Sequence, residues 1–468
     1  MKRFLRFAFA MAAALAQLAL PALAAAPELM PVGAPSGEHA GERTGTGTPA
    51  TLPLTLSEAI EMALAHSPHL RQLSALESAA SAGVRGARAQ RYPILDLAAG
   101  YTRNSDVPEF AIIYPGSISP VTIYPNLPNN TRTRLDLSVP IYTGGRLQNT
   151  ISAAEAERTA VSLDGQAGAA DLALETAAAY WFLLTARSEE RTLREGIASY
   201  EAHLKQTRDR ESVGMAARND VLSVLVERDR AELARLRAAN FAGTADANLA
   251  RLLGLPPGTS VEPTEPIDAQ QEPLEDLESL VAMALSSRPE RHALLARLSG
   301  ARARLEAQKA GWLPEAGVWA GYDWANPNRE IFPPTDSWRS TWDLGVSLTL
   351  SVFDSGRTSA AVAQAAHLVE AVERQVEDLE ERIRLEVTQR HLDVSTARVA
   401  VDVARRNVEA ASENRRVSMD RYSEGMIPSS ELLDSETALL AAGLDLTRAL
   451  AQLRLALVSL DRATGRWS

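Results

Sequence analysis

Two short stretches of this chain mark the same turning point: Pro140, Ile141, Tyr142, Thr143, Gly144, Gly145, Arg146, and again Ser351, Val352, Phe353, Asp354, Ser355, Gly356, Arg357. Before each, apolar residues alternate (Leu135, Leu137, Val139; Leu344, Val346, Leu348, Leu350). After each, a long Ala-rich segment carries helical spacing. A strand therefore runs straight into a helix at Gly145 and at Gly356. Glycine reaches backbone angles that a side chain forbids, and Thr143 or Asp354 offers an oxygen to the exposed first amides of the helix.

The joints belong to a longer duplication. Leu56 to Tyr101 aligns with Leu277 to Tyr322 at an offset of 221, matching Pro68 with Pro289, Pro93 with Pro314 and Gly100 with Gly321. Ile141 to Gly254 aligns with Val352 to Gly465 at an offset of 211, matching Gly145 with Gly356, Gly214 with Gly425 and Met215 with Met426. The change of offset puts the length difference between Tyr101 and Ile141, so the first copy carries the longer loop. The expected organisation is a signal over 1–24, a flexible Pro-, Gly- and Thr-rich lead-in over 25–53, and repeats over 54–268 and 269–468.

Within each copy the order of elements is the same. Thr55 with Glu58 forms a capping-box pattern that opens a short helix ending at Ser67, where Pro68 starts a second helix running to about Tyr92. Pro93 and Pro314 then end the helical pattern, and period-two runs follow: Leu95, Leu97, Ala99, Tyr101 in one copy, Ala316, Val318, Ala320, Tyr322 in the other. A loop and a return strand lead to the joint. Each strand is expected to be about 9 to 11 residues, the length of a tilted strand crossing a bilayer. Beyond the second joint, Val362, Ala365, Val369, Val372, Val376, Leu379 and Ile383 advance in steps of three and four, a coiled-coil seam. That helix is expected to reach about Arg421, reverse at Gly425 and Pro428, and return through Leu432 to Gly465. The first copy reverses at Gly214.

The N-terminus has Lys2, Arg3 and Arg6, an apolar run from Phe7 to Leu20, and Ala22, Leu23, Ala24 after Pro21, the pattern of a cleavable secretory signal. Its removal takes away three positive charges and no negative ones, moving the formal charge from -11 to -14, which argues against nucleic acid as a partner. Cysteine is absent, excluding disulfides, thiolate metal sites and the lipidated cysteine of bacterial lipoproteins. After the signal no apolar run approaches the roughly 18 residues of a membrane helix, so membrane insertion would have to use strands.

Alternation alone also fits a half-buried soluble sheet. Aromatic placement favours the membrane: five of the seven tryptophans (Trp312, Trp319, Trp324, Trp338, Trp342) lie in or beside the second hairpin. Tyr92, Tyr101, Tyr142, Tyr322 and Phe353 are expected at strand ends, as in an interfacial girdle. Four strands cannot close a barrel, because about eight is the minimum and an open edge in lipid leaves amides unpaired. Several chains must share one.

In the order and repetition of these features the chain resembles the TolC family of outer-membrane efflux proteins. The resemblance rests on the duplicated unit, the joints at Gly145 and Gly356, the reversals followed by Asp220, Val221, Leu222 and Glu431, Leu432, Leu433, and the stretch Glu386, Val387, Thr388, Gln389. It implies a mainly helical fold with a membrane portion: a homotrimer whose chains share one twelve-stranded β-barrel, continuous with a long α-helical coiled-coil barrel in the periplasm. It implies a passive channel in the outer-membrane lipid, serving a tripartite efflux or type I secretion system through a periplasmic adaptor (membrane fusion protein) and an inner-membrane pump. It also implies roles for residues. Glu431 and Asp434 match an acidic constriction, Asp220 and Tyr422 match a pair linking neighbouring coiled coils, and Gly214, Met215, Gly425 and Met426 match the tips that adaptors contact. The basic partner that the family places two residues after the second glycine is Ile427 here.

From the residues alone, Glu431 and Asp434 lie three apart on one helical face, so threefold symmetry would gather six carboxylates round an axis. The same residues also fit a helix start that complements the dipole, with Ser429 or Ser430 as cap. Gly214 and Gly425 equally fit residues that do no more than turn the chain. His66 and His69 flank a helix start and lack a third ligand, so no metal site is expected. Gly45 and Gly47 form no phosphate loop, and no nucleophile arrangement or cofactor motif is present, which argues against an enzyme. A soluble periplasmic coiled-coil adaptor or scaffold would share the signal and the heptads but lack paired amphipathic hairpins with aromatic ends.

Overall fold

The computed structural model describes residues 51–113, 115–116, 118–268 and 273–467. The expected signal over 1–24, lead-in residues 25–50, and Gly45 and Gly47 lie outside the described residues. In chain order the elements are β1 (Thr51–Leu54), α1 (Leu56–His66), α2 (Pro68–Ala89), β2 (Ile94–Arg103), β3 (Phe110–Ile112), β4 (Val121–Tyr124), β5 (Asn129–Tyr142), α3 (Arg146–Ser212) and α4 (Arg218–Leu252). They continue with β6 (Ser260–Pro263), α5 (Leu277–Ser287), α6 (Pro289–Lys309), β7 (Glu315–Asn326), β8 (Arg339–Thr349), α7 (Arg357–Ser423) and α8 (Ser429–Thr464).

The capping box at α1 forms as the sequence predicts: the Glu58 amide donates to Thr55 Oγ1 at 3.4 Å, and the Thr55 amide donates to Glu58 Oε2 at 2.8 Å. At the joints, Thr143 Oγ1 accepts from the Leu147 amide at 3.3 Å. Asp354 accepts from the Gly356 amide at 3.0 Å and the Thr358 amide at 2.8 Å. The Thr358 hydroxyl and amide hold the Asp354 carboxyl below its ordinary range. A carboxylate of this kind stabilises the fold above its unfolded-state pKa, and the contribution is lost as pH falls through the lowered folded value. Gly145 and Gly356 take φ of 89° and 84°, each as the cap of a long helix. The residues before them also have positive φ: Gly144 at 59°, and Ser355, a non-glycine, at 57°.

Four strands form one antiparallel sheet in the order β2-β5-β7-β8. Its register places Leu97 opposite Leu135, Leu135 opposite Tyr322 and Tyr322 opposite Trp342, with Leu95, Leu137, Ala320 and Leu344 in the next row of the same face. On the edge strands the apolar residues of this face are exposed within the single chain, including Leu97 at 70%, Leu344 at 67% and Val346 at 76%, while Leu137 and Ala320 on the interior strands are half-buried. The opposite face is polar. There Arg134 lies across three strands, bonded to Asp136 at 2.7 Å on its own strand and to Asp343 at 2.9 Å two strands away, passing over Gly321. A Cβ at Gly321 would collide with both the Arg134 guanidinium and the Asp343 carboxylate.

Several expectations are corrected here. β5 has 14 residues and β7 has 12, longer than expected, because both are interior strands paired along two sides. Tyr322 lies mid-strand and not at a strand end, while Trp319, within the second hairpin as expected, sits on the polar face with its ring over Gly345. The long first loop contains its own hairpin, β3 with β4. The last three residues of the expected lead-in, 51–53, belong to β1, which pairs in parallel with β6. Tyr180 of α3 clamps that pair: its buried hydroxyl donates to the Leu54 carbonyl at 2.9 Å and accepts from the Thr264 and Glu265 amides, each at 3.1 Å.

α3 and α7 each have 67 residues, close to 100 Å at 1.5 Å per residue. The seam of α7 continues through buried Ile383, Val387, Val394, Ala397, Val401 and Ala404. Around the joints α3 packs against α2 and α6, and α6 against α7; towards the reversals α3 packs against α4 and α8, and α8 against α7. In both regions α7 is the outer helix on one side, and α2 or α4 on the other. These outer helices expose apolar stripes: Leu385, Leu392 and Val399 at intervals of seven on α7, and Leu222, Val226 and Leu233 on α4.

Ser355 pays for left-handed backbone that glycine would adopt freely, at about 1–2 kcal/mol. Ser355→Gly should therefore raise the thermal unfolding midpoint in detergent. Gly356→Ala should lower it by a comparable amount, through strain alone, because no atom lies within 4 Å of the added Cβ. Circular dichroism on the two variants checks the opposite signs.

Candidate functional site

The two reversals share one construction. At the first, the Gly214 amide donates to the Glu211 carbonyl at 2.9 Å and the Met215 amide reaches back to the Arg210 carbonyl at 2.8 Å. At the second, Gly425 bonds Tyr422 at 3.0 Å and Met426 bonds Arg421 at 2.9 Å. Gly214 and Gly425 take φ of 76° and 78°, so each closes its helix in the left-handed cap that glycine favours. The chain then presents Met215 and Met426 outward, 75% and 60% exposed. This accounts for the geometry of Gly214, Met215, Gly425 and Met426.

Asp220 is the third residue of α4 and accepts the Ala217 amide at 3.1 Å, half of a capping box. Glu431, its equivalent in the second copy, is the third residue of α8. Glu431 and Asp434 are exposed on one face of that helix, and among the described residues neither forms an ion pair within the chain. Pro428 holds the cap position of α8, which corrects the alternative of Ser429 or Ser430 as cap. Ser429 is instead buried at 4% and faces α3.

Within one chain Tyr422 does not meet Asp220. Its side chain is buried at 3%, and its hydroxyl lies 3.2 Å from Thr207 Oγ1, which itself donates to the His203 carbonyl at 2.9 Å. The Tyr422 hydroxyl is therefore the donor to Thr207. Arg210 stacks 4.1 Å over the Tyr422 ring and donates to the carbonyls of Tyr422 and Ser423 at 2.8 and 3.0 Å. Ile427, standing where the resemblance expects a basic residue, is buried with Tyr422 and Leu432. An apolar residue at that position packs beneath the turn, where a cation would have to be desolvated.

Beside Tyr422 lies a polar cluster that sequence reasoning missed. His203 of α3 is fully buried, with Nδ1 2.9 Å from Glu436 Oε2 and Nε2 3.0 Å from Ser429 Oγ, both on α8. Ser199 donates to Glu436 Oε1 at 2.8 Å and accepts from Arg415 of α7 at 2.8 Å. The Tyr422 ring stands edge-on to His203, centroids 5.4 Å apart. Nearby the Tyr200 hydroxyl is 3.0 Å from Thr437 Oγ1, and burial pushes the Tyr200 phenol up. A signal was present: at the offset of 211, Glu436 aligns with Leu225, so the copies diverge in polarity at a position where the first copy packs an apolar side chain.

Elsewhere, His66 Nδ1 lies 3.0 Å from the Met62 carbonyl, an ordinary helical contact. Among the described residues no group of three His, Cys, Asp or Glu is placed to hold a metal, and no helix is long and apolar enough to cross a membrane.

A family model described as outer membrane efflux protein matches residues 59–255 and 280–466, taking in both halves of the duplication. The chain is similar to protein CyaE of Bordetella pertussis, 28% identical over 306 residues, 64% of this chain. The match spans 60% of the length of that relative. Two solved structures share the fold. The outer membrane protein VceC from Vibrio cholerae is 20% identical, with 88% of this chain and 96% of that one covered and a TM-score of 0.75. The MtrE outer membrane channel of Neisseria gonorrhoeae, in its open state, is 19% identical, with 88% of each chain covered and a TM-score of 0.71.

Tyr422→Phe removes one hydroxyl bond and keeps the ring between His203 and Arg210, at a cost of about 1 kcal/mol. Tyr422→Ala also empties a buried site, at about 3–5 kcal/mol. Thermal unfolding should rank wild type, Tyr422→Phe, then Tyr422→Ala, with the larger step at the second change.

Proposed function

The chain belongs to the outer membrane efflux protein family, and from that premise we propose that it is one subunit of a homotrimeric duct for passive export. Three copies contribute four strands each to one twelve-stranded barrel in the outer membrane, and their long helices form the tunnel that continues it through the periplasm. An inner-membrane pump delivers cargo through a periplasmic adaptor, in a tripartite efflux or a type I secretion system. The mature subunit begins after residue 24 and comprises the two repeats over 54–268 and 269–468.

One observation carries this reading: among the described residues, the four-stranded sheet and both helix layers end in unpartnered edges of the same two kinds. The sheet ends in β2 on one side and β8 on the other, the helices around the joints in α2 and α7, and those near the reversals in α4 and α7. The first copy supplies one side throughout and the second copy the other. Such an interface is heterologous, joining unlike surfaces, and closes into a ring when the rotation fits. The exposed stripes of α4 and α7 supply the apolar surface for it. Two chains would give eight strands, whose interior side chains fill; three give twelve and leave a lumen. The exposed apolar face of the sheet suits lipid, and the Arg134, Asp136 and Asp343 face suits water.

At the other end, Glu431 and Asp434 from three subunits form an acidic constriction, with Asp220 and Tyr422 beside it on the neighbouring helix ends. The tips at Gly214, Met215, Gly425 and Met426 offer the adaptor an exposed thioether on a fixed turn. Carboxylates crowded on one axis concentrate cations and obstruct anions. In planar bilayers the protein should form cation-selective pores, and the Glu431→Gln, Asp434→Asn double variant should lose most of that selectivity while native mass measurement still gives a trimer. Wild-type selectivity in that variant would remove the constriction from the account; absence of any pore would remove the duct.

A further inference from the structure

We propose that His203 and Glu436 are the positioning pair that aims the acidic face of α8, acting through the first two turns of that helix; this rests on the duct reading above. The side chains of the pair are 0% and 1% exposed, and the pair joins α3 of the first copy to α8 of the second. Burying ionisable groups is costly unless every polar atom is satisfied. Here both nitrogens of His203 and both oxygens of Glu436 have partners: Glu436 and Ser429 for the ring, His203 and Ser199 for the carboxylate.

Apolar packing would hold two helices together at least as well, since a buried ion pair replaced by hydrophobic side chains is often neutral or stabilising. At the position of Glu436 the first copy has Leu225, which packs against the apolar cluster of Ile197, Tyr200 and Leu204, while the position of His203 holds the exposed Asn414 in the second copy. What the polar pair adds is direction. Leucine tolerates a helix that rotates or slides by part of a turn, whereas two hydrogen bonds from one imidazole do not.

The two contacts on α8 are seven residues apart, at Ser429 and Glu436. Seven residues are almost two turns, so both lie on one face and His203 holds the helix at two heights. Glu431 and Asp434 fall between them on the opposite face and are exposed. Rotating α8 by one residue's step, about 100°, would break both contacts and carry the two carboxylates off the axis. The other helices of this end brace the pair. Arg415 of α7 reaches Ser199 and stands 3.8 Å from Glu436 Oε1, and Tyr422 of α7 packs its ring on His203 under Arg210.

The deciding experiment separates aim from stability. The double variant His203→Leu, Glu436→Leu replaces the pair with apolar packing of the kind Leu225 makes at the corresponding position of α4. It should assemble as a trimer with an unfolding midpoint at or near that of the wild type. Its cation-over-anion permeability ratio in planar bilayers should nevertheless fall by at least half of the loss caused by Glu431→Gln, Asp434→Asn. Ser429→Ala, which removes only the Nε2 contact, should move the ratio in the same direction by less, and serves alone if the double variant does not assemble. An unchanged ratio in Ser429→Ala and in the assembled double variant overturns the positioning role, and the duct reading survives if Glu431→Gln, Asp434→Asn still loses selectivity. If that acidic-face variant also behaves as wild type, the constriction fails and the positioning role falls with it.

Discussion

The unpaired backbone along β2 and β8 is the constraint on which the rest of the molecule depends. Neither edge finds a partner strand in the four-stranded sheet, and in hydrocarbon each unpaired amide or carbonyl costs several kcal/mol. The family to which the chain belongs is one of outer-membrane proteins. In the proposed shared barrel, β2 of one subunit pairs with β8 of the next. Alternation along the strands makes one face apolar and one polar, so pairing must also preserve the pleat. The Arg134 bridge to Asp136 and Asp343 holds that register from the polar side, with Gly321 left bare to make room.

The same logic passes down the chain through the joints. A strand edge that pairs with a neighbour fixes where that neighbour's helices start, because three residues separate β5 from α3 and seven separate β8 from α7. Successive residues with positive φ leave this connection little freedom. The left-handed backbone is kept even where one copy has serine in place of glycine, so the turn outranks the local preference of Ser355. Duplication supplies the backbone twice, and divergence makes the two copies chemically different. The reversals at Gly214 and Gly425 have the same hydrogen bonds, yet only the second copy has Glu431 with Asp434, and only the contact between copies has His203 with Glu436.

Much of this was legible in the sequence because the signals were periodic and repeated. Helical and alternating periods located the long helices and the four main strands, and the Thr55 box, the Thr143 and Asp354 caps and both reversals formed as residue chemistry predicts. Other features had no local signal. β1 and β6 are four-residue strands joined only by the fold, with Tyr180 supplying their shared bonds from 126 residues away. Trp319 reads as one of the aromatics of the second hairpin, but pleat parity sets its face, and that parity is known only once the register is known. Glu436 reads as a surface carboxylate on an amphipathic helix. Its burial depends on His203, 233 residues earlier, and a pair so distant cannot be seen from spacing along one element.

The absence of cysteine makes the central claim open to a direct test, because engineered thiols have no native competitor. One cysteine is placed on β2, at Leu95, Leu97 or Ala99, and a second in the same chain on β8, at Leu344, Val346 or Leu348, scanning the nine pairs under mild oxidation in membranes. β2 and β8 are opposite edges of one sheet, separated by two strands, so the thiols of a single chain cannot meet. The shared-barrel account predicts that at least one register gives dimers and covalently closed trimers on non-reducing gels, abolished by reductant, with neither single-cysteine variant producing trimers. Monomers alone in all nine pairs, with the protein inserted in the membrane, would contradict it.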